Sequence, residues 1–149
     1  MYEPISPNVN FVEQEKKIEK FWRDNKIFEK SIALRKEGTP YVFYDGPPTA
    51  NGKPHIGHVL TRVIKDMIPR YRTMKGYMVP RKAGWDTHGL PVELEVEKLL
   101  GLDGKEQIEE YGLSPFIDHC KESVWKYKGM WEDFSKTVGF WADMENPYV

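Results

Sequence analysis

Residues 41–77 read YVFYDGPPTANGKPHIGHVLTRVIKDMIPRYRTMKGY, and this stretch decides the fold that the sequence predicts. Residues 41–44 are β-branched or aromatic, which favours a strand, and the Gly-Pro-Pro that follows favours a turn. Beyond a polar loop, apolar residues recur at steps of three and four and predict an amphipathic helix that begins at two histidines. The apolar stripe consists of Leu60, Val63, Ile64, Met67, Ile68 and Tyr71.

His55 and His58 stand at the entrance of this predicted helix, with Gly57 between them. A helix N-terminus carries unpaired N–H groups and about half a positive charge, so it attracts anions and phosphate in particular. The two imidazoles and the cation of Lys53 would add donors and charge, while Gly57 would let a flat ligand approach closely. The pattern therefore predicts a nucleotide site. The simpler interpretation is that the two histidines only cap the helix.

A second strand is predicted at residues 77–83, after the helix. Two strands joined by a helix form a parallel, right-handed unit, and the carboxyl ends of parallel strands lie at one edge of the sheet. The loop 84–91, GWDTHGLP, should therefore face the first loop across one ligand. Asp86 in this loop suits an ammonium group, and Trp85 suits the wall of an apolar pocket. From its position alone, Asp86 could equally be an ordinary turn or cap residue.

Helices are also predicted outside this unit. Residues 10–31 carry a broken apolar stripe among charges, which predicts a helix that packs outside the core. Residues 91–100 and 104–111 predict two short helices. Residues 114–138 predict the longest helix, because seven apolar or aromatic side chains repeat there at helical spacing, and Gly139 would end it.

Composition narrows the class of protein. The chain has 149 residues, 40% of them hydrophobic, which is enough for one core of ordinary domain size. Cys120 is the single cysteine, so an internal disulfide and a cysteine-based zinc cluster are excluded, and the histidine spacing fits no zinc helix. No run of about 18 apolar residues occurs. We expect a cytoplasmic protein with no metal site of its own and no membrane contact.

The charges are unevenly distributed along the chain. Residues 38–85 contain eight Lys or Arg and two acids, whereas residues 86–149 contain six Lys or Arg and fourteen acids. A basic middle around a phosphate-type motif suits a polyanionic ligand. The alternative is that these charges only solvate helix faces.

Two motifs carry a resemblance to a known family. The segment GPPTANGKPHIGH, followed by a helix, resembles the HIGH signature of class I aminoacyl-tRNA synthetases, and GWDTHGLPVE at residues 84–93 resembles the second motif of their isoleucyl branch. The resemblance covers residues 11–149. It implies an α/β fold, with a helical arm at residues 1–37 and, at residues 38–149, the first half of a Rossmann-like parallel-sheet nucleotide-binding domain. The family's KMSKS signature does not occur, so we expect the C-terminal half of the catalytic domain to be missing.

The resemblance also implies a reaction and a site. ATP, accompanied by Mg²⁺, would activate isoleucine to isoleucyl-adenylate, and the full-length enzyme would transfer the aminoacyl group to tRNA(Ile). His55 and His58 would be catalytic and would bind the phosphates of ATP, while Gly57 would leave room for adenine. Asn51 and Lys53 would help to hold the triphosphate. The amino-acid site would comprise Gly46, Pro47, Trp85 and Asp86.

Two other functions remain open from the sequence. Nucleotidyltransferases of the cytidylyl or pantetheine-adenylyl type also place H-x-G-H at a helix entrance, but the motif at residues 84–93 is unexplained in them. The chain could also be a noncatalytic fragment or interaction module, which folds but cannot turn over ATP without its missing half.

Overall fold

The computed structural model describes residues 7–49 and 51–149 and confirms the predicted α/β class with a parallel sheet. None of the helices in this part of the chain is long and apolar enough to cross a membrane. The elements, in chain order, are α1 (Phe11–Asp24), α2 (Ile27–Ala33), β1 (Phe43–Tyr44), α3 (Ile56–Met74), β2 (Arg81–Gly84), α4 (Leu90–Leu100), α5 (Lys105–Tyr111), α6 (Leu113–Ser123), α7 (Lys128–Thr137) and β3 (Asp143–Tyr148).

The strands form one sheet in the order β1-β2-β3, and both pairs are parallel. Phe43 lies opposite Arg81, and Gly84 lies opposite Tyr148. The predicted strand–helix–strand unit is thus confirmed as β1, α3 and β2. β2 begins later than predicted because Pro80 has no N–H to donate to the ladder. β3 was not predicted from the sequence.

Two of the predicted helices are divided, and those predictions were wrong about length. The helix predicted at residues 10–31 is α1 and α2, because Lys26 adopts the left-handed conformation with φ 50° and interrupts it. The helix predicted at residues 114–138 is α6 and α7, separated by residues 124–127, where the Lys126 N–H donates to the Ser123 carbonyl three residues back. α3, with 19 residues, is the longest helix of the described chain. α4 and α5 confirm the two short helices.

The apolar stripe of α3 lies on the exposed side of the helix. Its six members are between 46% and 66% exposed, whereas Arg62 and Asp66, on the opposite side, are 5% and 8% exposed. The buried charges are paired: Arg62 Nη1 lies 3.6 Å from Asp45 Oδ2, and Arg81 Nη1 lies 3.1 Å from Asp66 Oδ1. α3 therefore turns its charged side toward β1 and β2.

The helices α1 and α2 pack through aromatic rings against Trp141, two residues before β3. The rings of Trp22 and Trp141 meet at a centroid distance of 5.0 Å and an angle of 75°. Phe28 lies 5.9 Å from the same Trp141 ring. The guanidinium of Arg70 lies 3.9 Å from the Trp141 centroid and pairs with Asp66. α1 and α2 are thus anchored beside the buried charges of α3.

Candidate functional site

The two histidines cap α3, and this confirms the simpler interpretation of them as far as the backbone is concerned. His55 is the N-cap residue in extended conformation, and its Nδ1 accepts a hydrogen bond from the Gly57 N–H at 3.2 Å. The backbone N–H of His55 donates to Nδ1 of His58 at 3.0 Å, which completes a capping box. The rings stack with centroids 3.8 Å apart. Their orientation is fixed by the backbone of the first turn.

This capping geometry sets the tautomer of both rings. Because Nδ1 of each imidazole accepts a backbone N–H, the proton of the neutral ring is on Nε2. Burial lowers the pKa of His58, and the nearby His55 and Arg62 add to this effect. His58 is therefore neutral at pH 7. Its Nε2–H remains a hydrogen-bond donor that the cap does not use.

Gly57 allows the His55 ring to fold over the first turn. A Cβ at position 57 would lie 3.0 Å from Cε1 of His55 and 3.1 Å from its Nδ1. These distances are too short for ordinary van der Waals contact, so a side chain there would displace the ring. Gly57 thus leaves space for the His55 ring in the cap, besides the room for adenine expected above.

The histidine pair opens onto a cavity of about 470 Å³ at the carboxyl end of β1. Five of the residues singled out from the sequence line it: Gly46, Pro47, Lys53, His55 and His58. Its other lining residues are Asp45, Pro48, Thr49, Gly52, Thr61, Arg62, Lys65 and Trp131. The predicted meeting of the loop after β1 with the start of α3 is therefore present as one concave site.

Three other predicted residues lie behind or beside this cavity. The Asn51 side chain is buried and donates to the carbonyl of Pro91 at 3.0 Å, so it ties the loop to α4. Trp85 is 3% exposed and packs in the core with Trp131. Asp86 is half-buried, and its N–H donates to the Pro48 carbonyl at 3.0 Å. The two loops therefore do meet, with Asp86 next to the wall that contains Pro47 and Pro48.

Four charged or aromatic residues of the site were missed from the sequence. Asp45 is 2% exposed, and Lys65 Nζ lies 2.8 Å from its Oδ1. Arg62 approaches the other carboxylate oxygen, and burial lowers the pKa of its guanidinium while Asp45 raises it. Trp131 donates from Nε1 to the Gly52 carbonyl at 2.7 Å. The spacing of positions 58, 62 and 65 places the two cations on the face of α3 that carries His58, and this signal could have identified them.

The cavity concentrates positive charge around one buried acid. Among the described residues that line the cavity, the cations are Lys53, Arg62 and Lys65, and Asp45 supplies the single carboxylate. Within the described chain, Nε and Nη1 of Arg62 are buried with no hydrogen-bond partner. A net positive charge and helix N–H groups at one concave site suit an anionic ligand.

Comparisons with known proteins agree with the geometry. Residues 17–149 match the family described as tRNA synthetases class I (I, L, M and V). The chain is similar over all 149 residues to isoleucine–tRNA ligases of Clostridium novyi and Clostridium tetani, each at 62% identity, and of Clostridium kluyveri at 64%. The chain spans about 14% of the length of each of these relatives.

Proposed function

Because the chain belongs to the class I tRNA synthetases, we propose that it forms the phosphate-binding part of the active site of an isoleucine–tRNA ligase. The full-length enzyme would activate isoleucine with ATP and then pass the aminoacyl group to tRNA(Ile). The names of the relatives support the choice of isoleucine. tRNA(Ile) would be the third substrate, after isoleucine and ATP, and we propose the cytoplasm as the place of the reaction.

The fixed pair of imidazoles at the N-terminus of α3 carries the proposal. The Nδ1 atoms of His55 and His58 are committed to the cap, so their Nε2–H groups are available to phosphate oxygens. Such donors need no reorganisation when charge develops, which is the property that makes preorganised donors effective in catalysis. His58 would act as a neutral donor, while Lys53 would supply charge.

The proposed reaction needs no nucleophile from the protein. A carboxylate oxygen of isoleucine attacks the α-phosphorus of ATP, and the bond from that phosphorus to the oxygen bridging to the β-phosphorus breaks. Isoleucyl-adenylate forms, and pyrophosphate leaves with the electron pair and the negative charge. Catalysis then consists of holding the two reactants together and stabilising charge on the phosphates.

We propose that the amino acid lies along the wall formed by Gly46 and Pro47. The carboxylate of Asp86, a residue whose backbone N–H donates to the Pro48 carbonyl, would bind the ammonium group. The buried side chain of Trp85 would lie behind the pocket, on the side of the core. Asn51, whose amide donates to the Pro91 carbonyl, would serve the triphosphate mainly by fixing the loop that carries Lys53.

Magnesium would come with ATP in this proposal. Among the described residues no group of three or more His, Cys, Asp or Glu side chains could hold a metal. Asp45, the carboxylate of the cavity lining, is already paired with Lys65 and Arg62. The residues present therefore do not fit a protein-bound magnesium site, and phosphate oxygens would hold the ion.

The test is amino-acid-dependent exchange of labelled pyrophosphate into ATP. A chimera in which this chain replaces the aligned 149 residues of the Clostridium novyi ligase should catalyse this exchange with isoleucine and not without an amino acid. The unmodified ligase is the control. A folded chimera with no isoleucine-dependent exchange would contradict the proposal and favour a noncatalytic role. Transfer of a nucleotide without isoleucine would favour the nucleotidyltransferase alternative.

A further inference from the structure

We infer that Lys65 is a positioning residue that fixes the Asp45–Gly46 segment, and with it the Gly46–Pro47 wall of the cavity. This inference rests on the proposed function, because it assigns that wall to the amino acid. It concerns a residue that acts through the loop rather than by contact with the reacting atoms.

Lys65 bridges α3 to the loop that follows β1. Its Nζ donates to Oδ1 of Asp45 at 2.8 Å and to the carbonyl oxygen of Gly46 at 2.8 Å. The Lys65 side chain is 29% exposed at the cavity, while the Asp45 side chain is 2% exposed. One ammonium thus holds two successive residues of the loop, and a hydrogen bond between charged groups with a largely buried partner is stronger than a surface contact.

The remaining contacts of Asp45 fix its backbone and leave the position of Gly46 to Lys65. The Asp45 N–H donates to the Lys82 carbonyl at 2.8 Å, and the Tyr148 hydroxyl donates to the Asp45 carbonyl. Arg62 approaches the carboxylate only to 3.6 Å. Without Lys65, the carboxylate would keep this one distant cation, and the hydrogen bond at the Gly46 carbonyl would be lost.

The two prolines after Gly46 make the position of the wall depend on the position of Gly46. Pro47 and Pro48 have fixed φ angles, so a shift at Gly46 moves them together. The far end of the pair is held by the hydrogen bond from the Asp86 N–H to the Pro48 carbonyl. Lys65 and Asp86 therefore anchor opposite ends of the wall. The histidine pair is held separately by its own capping box.

The consequence is a selective effect on one substrate. Loss of Lys65 should move the amino-acid wall and leave His55 and His58 in place. We therefore expect Lys65→Met in the chimera to raise KM for isoleucine about tenfold, since small misplacements of a substrate are costly, and to change KM for ATP less than about twofold. Lys65→Arg should recover part of the loss because its guanidinium can reach both acceptors.

Steady-state pyrophosphate exchange with each substrate varied in turn measures the two KM values. Lys75→Met is the matched control, because Lys75 is an exposed lysine at the C-cap of the same helix. The inference would be overturned if Lys65→Met changed both KM values equally, or if it lowered the melting temperature without a selective change in KM for isoleucine. Either result would show that Lys65 forms only a structural ion pair. A wild-type chimera without isoleucine-dependent exchange would instead refute the proposed function.

A second variant covers the case in which Lys65→Met does not fold. Tyr148→Phe keeps the ring that lies against Gly84 and removes the hydroxyl that donates to the Asp45 carbonyl. It should produce the same selective rise in KM for isoleucine, at smaller size. An unchanged KM for isoleucine in Tyr148→Phe, together with failure of Lys65→Met to fold, would also overturn the inference.

Discussion

Replacing His55 by Asn and, separately, by Ala should separate the capping role of this residue from its proposed role at the phosphates. His55 uses Nδ1 to accept the Gly57 N–H and leaves its Nε2–H for the cavity. Asn is among the best N-cap residues, and its side-chain oxygen can accept the same N–H. Asn therefore keeps the cap and removes the imidazole donor. Ala removes both.

The two contributions have different expected sizes. Loss of an N-cap costs about 1 kcal/mol of stability, so His55→Ala should unfold at lower urea concentration than the wild type while His55→Asn should stay within a few tenths of 1 kcal/mol. Loss of one preorganised donor costs about 10²–10³-fold in rate, or roughly 2.7–4 kcal/mol. Both variants should therefore lose activation rate in the chimera by about this factor, with a smaller change in KM for ATP.

Urea unfolding of the chain and single-turnover formation of isoleucyl-adenylate by the chimera measure the two effects. A His55→Asn variant that activates isoleucine at the wild-type rate would refute the assignment of His55 to the phosphates and leave it as a cap. A His55→Asn variant as unstable as His55→Ala would show instead that the cap geometry has been misjudged.

Three further outcomes are expected. The pKa of His58 is lowered below 6.5, so the folded chain binds fewer protons than the unfolded chain near this pH. The free energy of unfolding should therefore fall as pH drops through 6.5. Urea unfolding of His58→Gln, which keeps a side-chain acceptor for the cap, should show a weaker fall. Asp66→Ala leaves the buried Arg81, whose pKa burial already lowers to about 10, without its partner, and should cost about 3–5 kcal/mol in urea unfolding. The isolated chain should self-associate in sedimentation through the exposed stripe of α3, and Val63→Lys with Met67→Lys should reduce that association. Unchanged association of the double variant would show that another surface is responsible.

The sequence predicted the elements whose signals are local. β1, α3 and β2 follow from a β-branched and aromatic run, a Gly-Pro-Pro turn and helical periodicity, and their parallel arrangement follows from chain topology. The placement of the two loops at one sheet edge also followed, because parallel strands share the direction of their carboxyl ends. His55 and His58 were found because a helix entrance is visible in the sequence.

Features that depend on distant partners were not predicted. β3 has the sequence DMENPY, which carries no alternating apolar pattern, and it is a strand because it pairs with β2. Asn51 was expected to help hold the triphosphate, and the hydrogen bond from its side chain to the Pro91 carbonyl, 40 positions away, was not predicted. The first predicted helix is interrupted by the left-handed backbone conformation of Lys26, and a lysine side chain does not indicate that conformation in the sequence.

α3 shows why a correct helix prediction left the chemistry of the site incomplete. Periodicity defines two faces of a helix, and the usual assumption buries the apolar one. Here the charged face is buried, because Asp45 follows β1 and Arg81 begins β2, and each supplies the opposite charge for a residue of α3. The same burial brings Arg62 and Lys65 to the cavity wall beside His58. At this wall both cations are paired with Asp45, and periodicity alone could not show that pairing.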